Sequence, residues 1–389
     1  MRQWQRSCAA LLGMVLSGIP RSAAADLKVE LKGNVRLDLQ YEDTDTNDFP
    51  SPYVGDVPLE GDAERNRPML LLDARQSRFS FNASDTLAEV EMKARIECDF
   101  YTGGGSALST NSRLPRLRHA YMRGSHSSGL FLLAGQTESL LVNQSAQPEV
   151  VDFTGAAGQI FAREPQLRVG YRREIGETFG SLLFEADIEK NSTNDLGTDR
   201  INEAQGQGQR FPVYTGKISW IHPRFQLEGG FAAARTDVVF EGGRRATAKT
   251  FAVAASGQLN LGPVTLFGHY HHVDGQSRLA YGDFPTAFTV GTSIANVKSD
   301  GWYAGASWQI AQATGVNTIF GWHKAGEIEG TEFTGDALGL HQSIHANVIQ
   351  KFWERWQVGL EYRRYDVEAF NGRKGHVNGA LAAVWFFLN

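Results

Sequence analysis

From Leu27 to Tyr41 the odd positions read Leu, Val, Leu, Gly, Val, Leu, Leu, Tyr, and the even positions Lys, Glu, Lys, Asn, Arg, Asp, Gln. From Ala88 to Phe100 the even positions are Ala, Val, Met, Ala, Ile, Cys, Phe, and the odd ones Glu, Glu, Lys, Arg, Glu, Asp. Side chains at this spacing point to opposite faces of an extended chain, so one face is apolar and the other ionic. Such runs are far longer than the ~5–6 residues typical of a globular strand. A soluble sandwich could alternate in the same way. The length fits better a strand tilted through a bilayer, which needs ~9–11 residues plus overhang.

Sixteen such segments are predicted, at 27–41, 71–83, 88–101, 114–124, 129–138, 165–173, 179–190 and 211–221, then 224–234, 247–261, 263–274, 299–311, 315–325, 339–352, 356–367 and 377–388. The connections after even-numbered segments are tight, at 84–87, 124–128, 174–179, 222–223, 262, 312–314 and 353–355. Those after odd-numbered segments are mostly long and rich in Gly, Asp, Asn and Pro. Short turns on one side and long loops on the other are the rhythm of an all-β, antiparallel transmembrane β-barrel with about sixteen strands and both termini on the periplasmic side. Aromatic pairs support it: Trp220 and Phe225 bracket one short turn, and Phe352 and Trp356 another. Trp302, Tyr101 and Tyr41 fall near the long loops, so two interfacial girdles are expected.

Arg2 and Arg6 precede a short apolar run that ends at Pro20, and Ser22-Ala23-Ala24-Ala25 supplies small residues for cleavage. The expected organisation is a signal peptide at 1–25 and a barrel at 26–389; an uncleaved anchor would need a longer apolar core. The leader carries three arginines and no acid, so its removal takes the net charge from −5 to −8. An acidic chain is a poor partner for nucleic acid, whose phosphates need a basic face. One cysteine, Cys98, is left, which excludes an internal disulfide framework. No run of eighteen apolar residues follows the leader, and mean hydropathy is −0.31. A barrel resolves that polarity by enclosing its polar face. The expected location is the outer membrane of a Gram-negative bacterium, with outer-membrane lipid and the barrel-assembly machinery as partners.

Several motifs carry a family likeness. Arg75-Gln-Ser-Arg-Phe-Ser-Phe81, Arg116-Leu-Arg-His-Ala-Tyr121, Gly135-Gln-Thr137, Val151-Asp-Phe153 and Gly158-Gln-Ile-Phe-Ala-Arg-Glu-Pro-Gln166 together resemble the DcaP-like outer-membrane porin family. The likeness covers roughly residues 70 to 190. It implies a homotrimeric sixteen-stranded channel, a passive path for small hydrophilic solutes with a preference for organic anions such as dicarboxylates. Some members carry a helical extension ahead of the barrel; here the first segment starts almost at Asp26, so none is expected. The chain ends Trp385-Phe386-Phe387-Leu388-Asn389, with its last aromatic two residues from the end.

Strand phase selects the lumen charges. Arg78 opposes Phe79 and Phe81; Lys93 and Arg95 share a face with Glu91 and Glu97; Arg116, Arg118 and Arg168 are inward on their own segments. An arginine on the lipid face at mid-depth would cost ~2–4 kcal/mol. These six cations are the expected pore-lining and solute-binding residues, although each could equally brace the wall against Glu97, Asp99 or Glu185. Arg75 and His119 fall on the apolar phase and are expected at a strand end or subunit contact, with Phe79, Phe81 and Tyr121 as apolar contact candidates. The connection at 139–164 is expected, by likeness to general porins, to fold inward and narrow the pore, with Glu149, Asp152 and Arg163 as constriction residues.

His269, His271 and His272 cluster, and His341 and His345 share a face. A metal needs three or four converging donors and one strand face offers two, so no metal site is expected. Ser343 lies between His341 and His345, but i±2 neighbours are ~6–7 Å apart along a strand, too far for a catalytic pair. No catalytic residues and no cofactor are expected. An outer-membrane barrel lipase or protease, or a structural or adhesive barrel, are the competing readings; conductance separates the channel from both.

Overall fold

The computed structural model describes residues 27–46, 56–101, 105–106, 112–143, 145–147, 149–192, 210–239, 245–276, 278–279, 284, 287–290, 293–326 and 337–388. The expected leader at 1–25 lies outside the described residues. Among the described residues, sixteen strands form the wall. They are β1 (Lys28–Glu42), β2 in two pieces (Met69–Asp73 and Arg78–Leu87), β3 (Val90–Asp99), β4 (Arg116–His126), β5 (Leu130–Glu138) and β6 (Arg163–Gly176). Then follow β7 (Gly180–Glu189), β8 (Val213–His222), β9 (Phe225–Val239), β10 (Arg245–Leu261) and β11 (Val264–Asp274). The last are β12 (Lys298–Ala311), β13 (Thr314–Ala325), β14 (Leu338–Phe352), β15 (Trp356–Ala369) and β16 (Lys374–Phe387).

Each strand pairs antiparallel with the next. The sheet closes where β1 meets β16, from Asn34 opposite Phe387 to Glu42 opposite Gly379. Closure removes both free edges, and in a bilayer no other arrangement of strands satisfies every backbone N–H and C=O. The burial pattern then inverts that of a soluble protein. On β1, Leu39 is 41% exposed while its neighbour Gln40 is 1% exposed. Leu37 and Tyr41 share the outer face, and Arg36, Asp38 and Glu42 are buried inside.

The short connections fall at or within a few residues of where the alternation placed them, the turn after β4 lying at 127–129 and the largest shift coming after β2. β2 continues to Leu87, with Asp85 opposite Met92 and Thr86 opposite Glu91, so the turn is Ala88-Glu89 rather than 84–87. Ala88 makes that tight reversal at φ 54°. Tyr101 is also not part of an interfacial girdle: it is buried and stacks on Phe153 with ring centroids 3.7 Å apart.

Two irregularities change which residues face inward. Between the two pieces of β2 the inward phase passes from Asp73 and Arg75 to Gln76 and Ser80. Ser77 fills the interrupted ladder: the Arg36 N–H donates to its Oγ at 3.0 Å, and its hydroxyl donates to the Arg36 carbonyl at 3.2 Å. On β4 the register shifts between Glu97, opposite His119, and Cys98, opposite Leu117, leaving Arg118 as the extra residue. Arg118 and His119 are consequently both buried. A bulge of this kind bends the strand and re-aims side chains.

With long loops outside, single cysteines placed at Ala63 and Asn371 in a Cys98→Ser background should be labelled on intact cells by a membrane-impermeant maleimide. Those at His126 and Gln312 should be protected. Labelling of the second pair alone would reverse the orientation.

Candidate functional site

The segment between β5 and β6 is irregular, yet many of its described backbone polar groups are paired. Among its partners are inner-face side chains. The Val151 N–H donates to Glu361 Oε2 at 2.6 Å, and Arg36 Nη2 donates to the Val151 carbonyl at 2.5 Å. Asn347 Nδ2 donates to the Glu149 carbonyl, Tyr303 to the Ala146 carbonyl, and the Ala157 N–H to Ser343 Oγ. Glycine permits the closest approach. A Cβ at Gly158, where φ is +74°, would stand 2.5 Å from the Trp322 carbonyl, and one at Gly321 2.3 Å from that of Ala157. Leu141, Val142 and Ile160 add an apolar contact to Val213, Ala232, Ala252 and Val273.

Asp152 is held by charge. Arg363 on β15 is fully buried; its Nη1 donates to Asp152 Oδ2 at 2.5 Å and its Nη2 pairs with Glu42 of β1. Tyr365 donates a further hydrogen bond to Asp152 Oδ2 at 2.5 Å. Beside them His345 Nδ1 lies 2.9 Å from Glu361 Oε1. Ligand atoms of Asp152, His345 and Glu361 lie within 4.8 Å of one another. The Arg363 guanidinium already supplies a cation to Asp152, so this triad reads as an ion-pair anchor.

The segment and the wall from β1 to β6 enclose a cavity of about 470 Å³. Five guanidinium groups line it, those of Arg36, Arg78, Arg95, Arg118 and Arg163, against three carboxylates, Glu97, Glu138 and Asp152. Glu97 is shared: Arg118 Nε is 2.7 Å away, Arg78 Nε 3.6 Å, and Arg95 pairs with its other oxygen. The Nε atoms of Arg78, Arg95 and Arg163 are buried with no hydrogen-bond partner among the described residues. Unsatisfied donors around an over-subscribed carboxylate leave room for a second anion.

The structure thus gathers four of the residues selected from sequence, Arg78, Arg95, Arg118 and Arg163, with Asp152 from the loop. Arg116 sits beside them but is spent on Asp99, donating from Nε at 2.9 Å and Nη2 at 2.7 Å. Lys93 is exposed and pairs with Glu91 at 2.7 Å, and Arg168 pairs with Asp187 at 3.3 Å and Glu185 at 3.6 Å; neither lines the cavity. Glu149 is exposed. Of the three residues expected at a strand end or subunit contact, Arg75 does follow the end of the first piece of β2, and all three lie inside the wall. Arg75 is buried against Asp73, His119 bonds Thr137 Oγ1 through Nδ1 at 3.0 Å, and Tyr121 lines the cavity. The two strand irregularities account for this, since each shifts the inward phase by one residue.

Removing Arg363 leaves Glu42 and Asp152 buried and uncompensated, at a cost of ~3–5 kcal/mol. Arg363→Met should lower the temperature at which the purified barrel loses its folded electrophoretic mobility. The triple change Glu42→Gln, Asp152→Asn, Arg363→Met should recover most of that fall.

A family model described as DcaP outer membrane protein matches residues 17–290. No curated protein matches the chain. Among solved structures, the outer membrane channel DcaP of Acinetobacter baumannii is similar at a TM-score of 0.74 and 21% identity, over 95% of this chain and 99% of that one. An anion-selective porin from Comamonas acidovorans gives 0.58 at 12% identity, over 93% and 100%. The trimer form of Vibrio cholerae OmpT gives 0.56 at 12% identity, over 93% and 99%. At such identities the structural likeness concerns the fold.

Proposed function

The chain belongs to the DcaP outer membrane protein family, a family of the outer membrane, and we propose that it is a non-enzymatic diffusion channel with a preference for small organic anions such as dicarboxylates. The observation that carries this reading is the group of five guanidiniums in one cavity: Arg36 and Arg118 are met by Asp38 and Asp99 behind its lining, while Arg78 and Arg95 share the single carboxylate Glu97. Fixed positive charge concentrates anions and repels cations, and a guanidinium fork holds a carboxylate at two points. The anion selectivity of the Comamonas acidovorans porin is in keeping with it. Arg78 and Arg95, with side chains 34% and 37% exposed, are the solute-facing members; Arg118, at 6%, braces Glu97 and Asp99.

In the same reading the 139–162 segment narrows the channel, and its wall contacts support that. A homotrimer is the assembly in keeping with the Vibrio cholerae relative. Exposed Phe81, Ile96, Leu117 and Leu132 on β2–β5 are the contact surface, and Tyr121 is not among them. Mass spectrometry in mild detergent should then find three chains.

The selectivity test is electrical. In a planar bilayer under a salt gradient, Arg78→Ala/Arg95→Ala should lower the anion-to-cation permeability ratio severalfold while leaving thermal stability nearly unchanged. Arg118→Ala should instead reduce stability, because Glu97 and Asp99 lose their shared partner. A double variant that keeps the original reversal potential would refute the anion reading.

A further inference from the structure

The outer face of the barrel carries one arrangement that the channel does not use. Arg235 on β9 stands directly opposite Lys249 on β10. Both are exposed and share the outward phase with Phe231 and Ala233 on one strand and Phe251 and Val253 on the other. Like charges directly opposed across an antiparallel pair are destabilising, so the pairing calls for a counter-charge from elsewhere. Among the described residues, neither side chain makes an ion pair. The nearest acid in register, Asp237, two residues beyond Arg235 and opposite Thr247, is already met by Arg210 at 2.7 Å and by the Thr247 hydroxyl at 2.6 Å; Asp274, opposite Phe251 on the next strand, receives Asn296 Nδ2 at 2.6 Å and faces Lys298.

The rest of that rim is built differently. Lys324 stands opposite Asp300, Arg364 pairs with Asp366 at 2.7 Å, and Lys374 with Glu368 at 3.4 Å. Even Arg210, close by, is spent on Asp237 at 2.7 Å. The Arg235–Lys249 pair differs from these in that each cation has the other, and not an acid, directly across the strand.

Its height and surroundings suggest the missing partner. Arg235 is ten residues beyond Phe225, which sits at the short turn after β8. At ~3.4 Å per residue and a tilt of ~40°, that is ~26 Å, the height of the ~25 Å apolar band. The two cations thus stand at the headgroup level of the leaflet on the long-loop side. Directly beside them a groove of about 560 Å³ is lined by Phe211, Pro212, Tyr214, Ala234 and Phe251. The Arg235 guanidinium lies 5.5 Å from the centroid of Phe211, which restrains it toward the groove.

We propose that Arg235 and Lys249 with the groove of β8–β10 form a binding site for the phosphorylated glycolipid of the outer leaflet, the two cations taking a phosphate and the groove an acyl chain. The outer leaflet is the lipid surface at that end of the barrel, and its glucosamine phosphates match a close pair of cations. The assignment rests on the barrel orientation given above, which the labelling experiment tests separately.

The experiment uses the purified full-length barrel and mass spectrometry in mild detergent, with bisphosphorylated lipid A, its dephosphorylated form and phosphatidylglycerol as probes. Lipid A should bind one per chain, at least tenfold more tightly than either control. Arg235→Glu places an acid opposite Lys249, which restores a favourable strand pair, so the variant should fold and yet lose the same tenfold. Lys249→Glu should do likewise. Equal retention of lipid A by wild type and both variants would overturn the site. So would binding of phosphatidylglycerol or dephosphorylated lipid A as tight as that of lipid A.

Discussion

Hydrocarbon accepts no unpaired backbone hydrogen bond, and most of this chain follows from that. Each unpaired N–H or C=O left in lipid costs several kcal/mol, so strands that cross must close on themselves. The β1–β16 pairing completes that circle. Once closed, the wall has a lipid side that excludes charge and an inner side that collects it. The period-two pattern is the record of this division in the chain, which is why polar composition and membrane residence are compatible here.

The inner side has its own constraint. A charge enclosed with other charges must be neutralised locally or left facing solvent. Around Arg363 the first solution operates: Glu42, Asp152 and Tyr365 surround one guanidinium, and the non-strand backbone at Val151 is paired by Glu361. Around Glu97 the second operates. Three arginines meet one carboxylate, and two of them keep a third of their side-chain surface open. The first wall anchors a segment and the second wall supplies unspent charge. On the proposed reading, that difference gives rigidity to one side of the lumen and solute contact to the other.

How far the sequence could be read depends on the range of the interactions concerned. Strands and short turns are local, and alternation marked all sixteen with small errors at their ends. The Ala88-Glu89 turn was misplaced because β2 runs four residues past its apolar positions, held by pairing with β3. The irregularities at 74–77 and at Arg118 left no local signal. Each gains its advantage from a neighbouring strand, Ser77 from β1 and the Arg118 bulge from β3. Hence Arg78, Arg95 and Arg118 were legible as inward while His119, Tyr121 and Arg75 were not. Arg36 was missed for another reason. It lies on the inward phase of β1 and pairs with Asp38 two residues away, but the Val151 carbonyl that brings it to the cavity is 115 residues away, beyond any periodicity. The Asp152–Arg363 pair spans 211 residues and was equally out of reach, although both residues stood on readable faces.

The same electrostatic rule applies on both faces of the wall and gives each face a different occupant. Inside, the medium is aqueous, so an over-supplied arginine can wait on a mobile solute, and its binding can be weak enough for passage. Outside, a cation at the rim of the apolar band has lipid below it and headgroups beside it. Most such cations here meet an acid across the strand, as Lys324 meets Asp300. An acid opposite Arg235 would have satisfied the same rule, yet Lys249 stands there instead. A lumen arginine without a full complement of acids favours transient anions, whereas an outward pair without acids favours an anion that stays. If both proposals hold, the protein separates a fast site from a slow one by the solvent each faces, with the same side-chain chemistry in both.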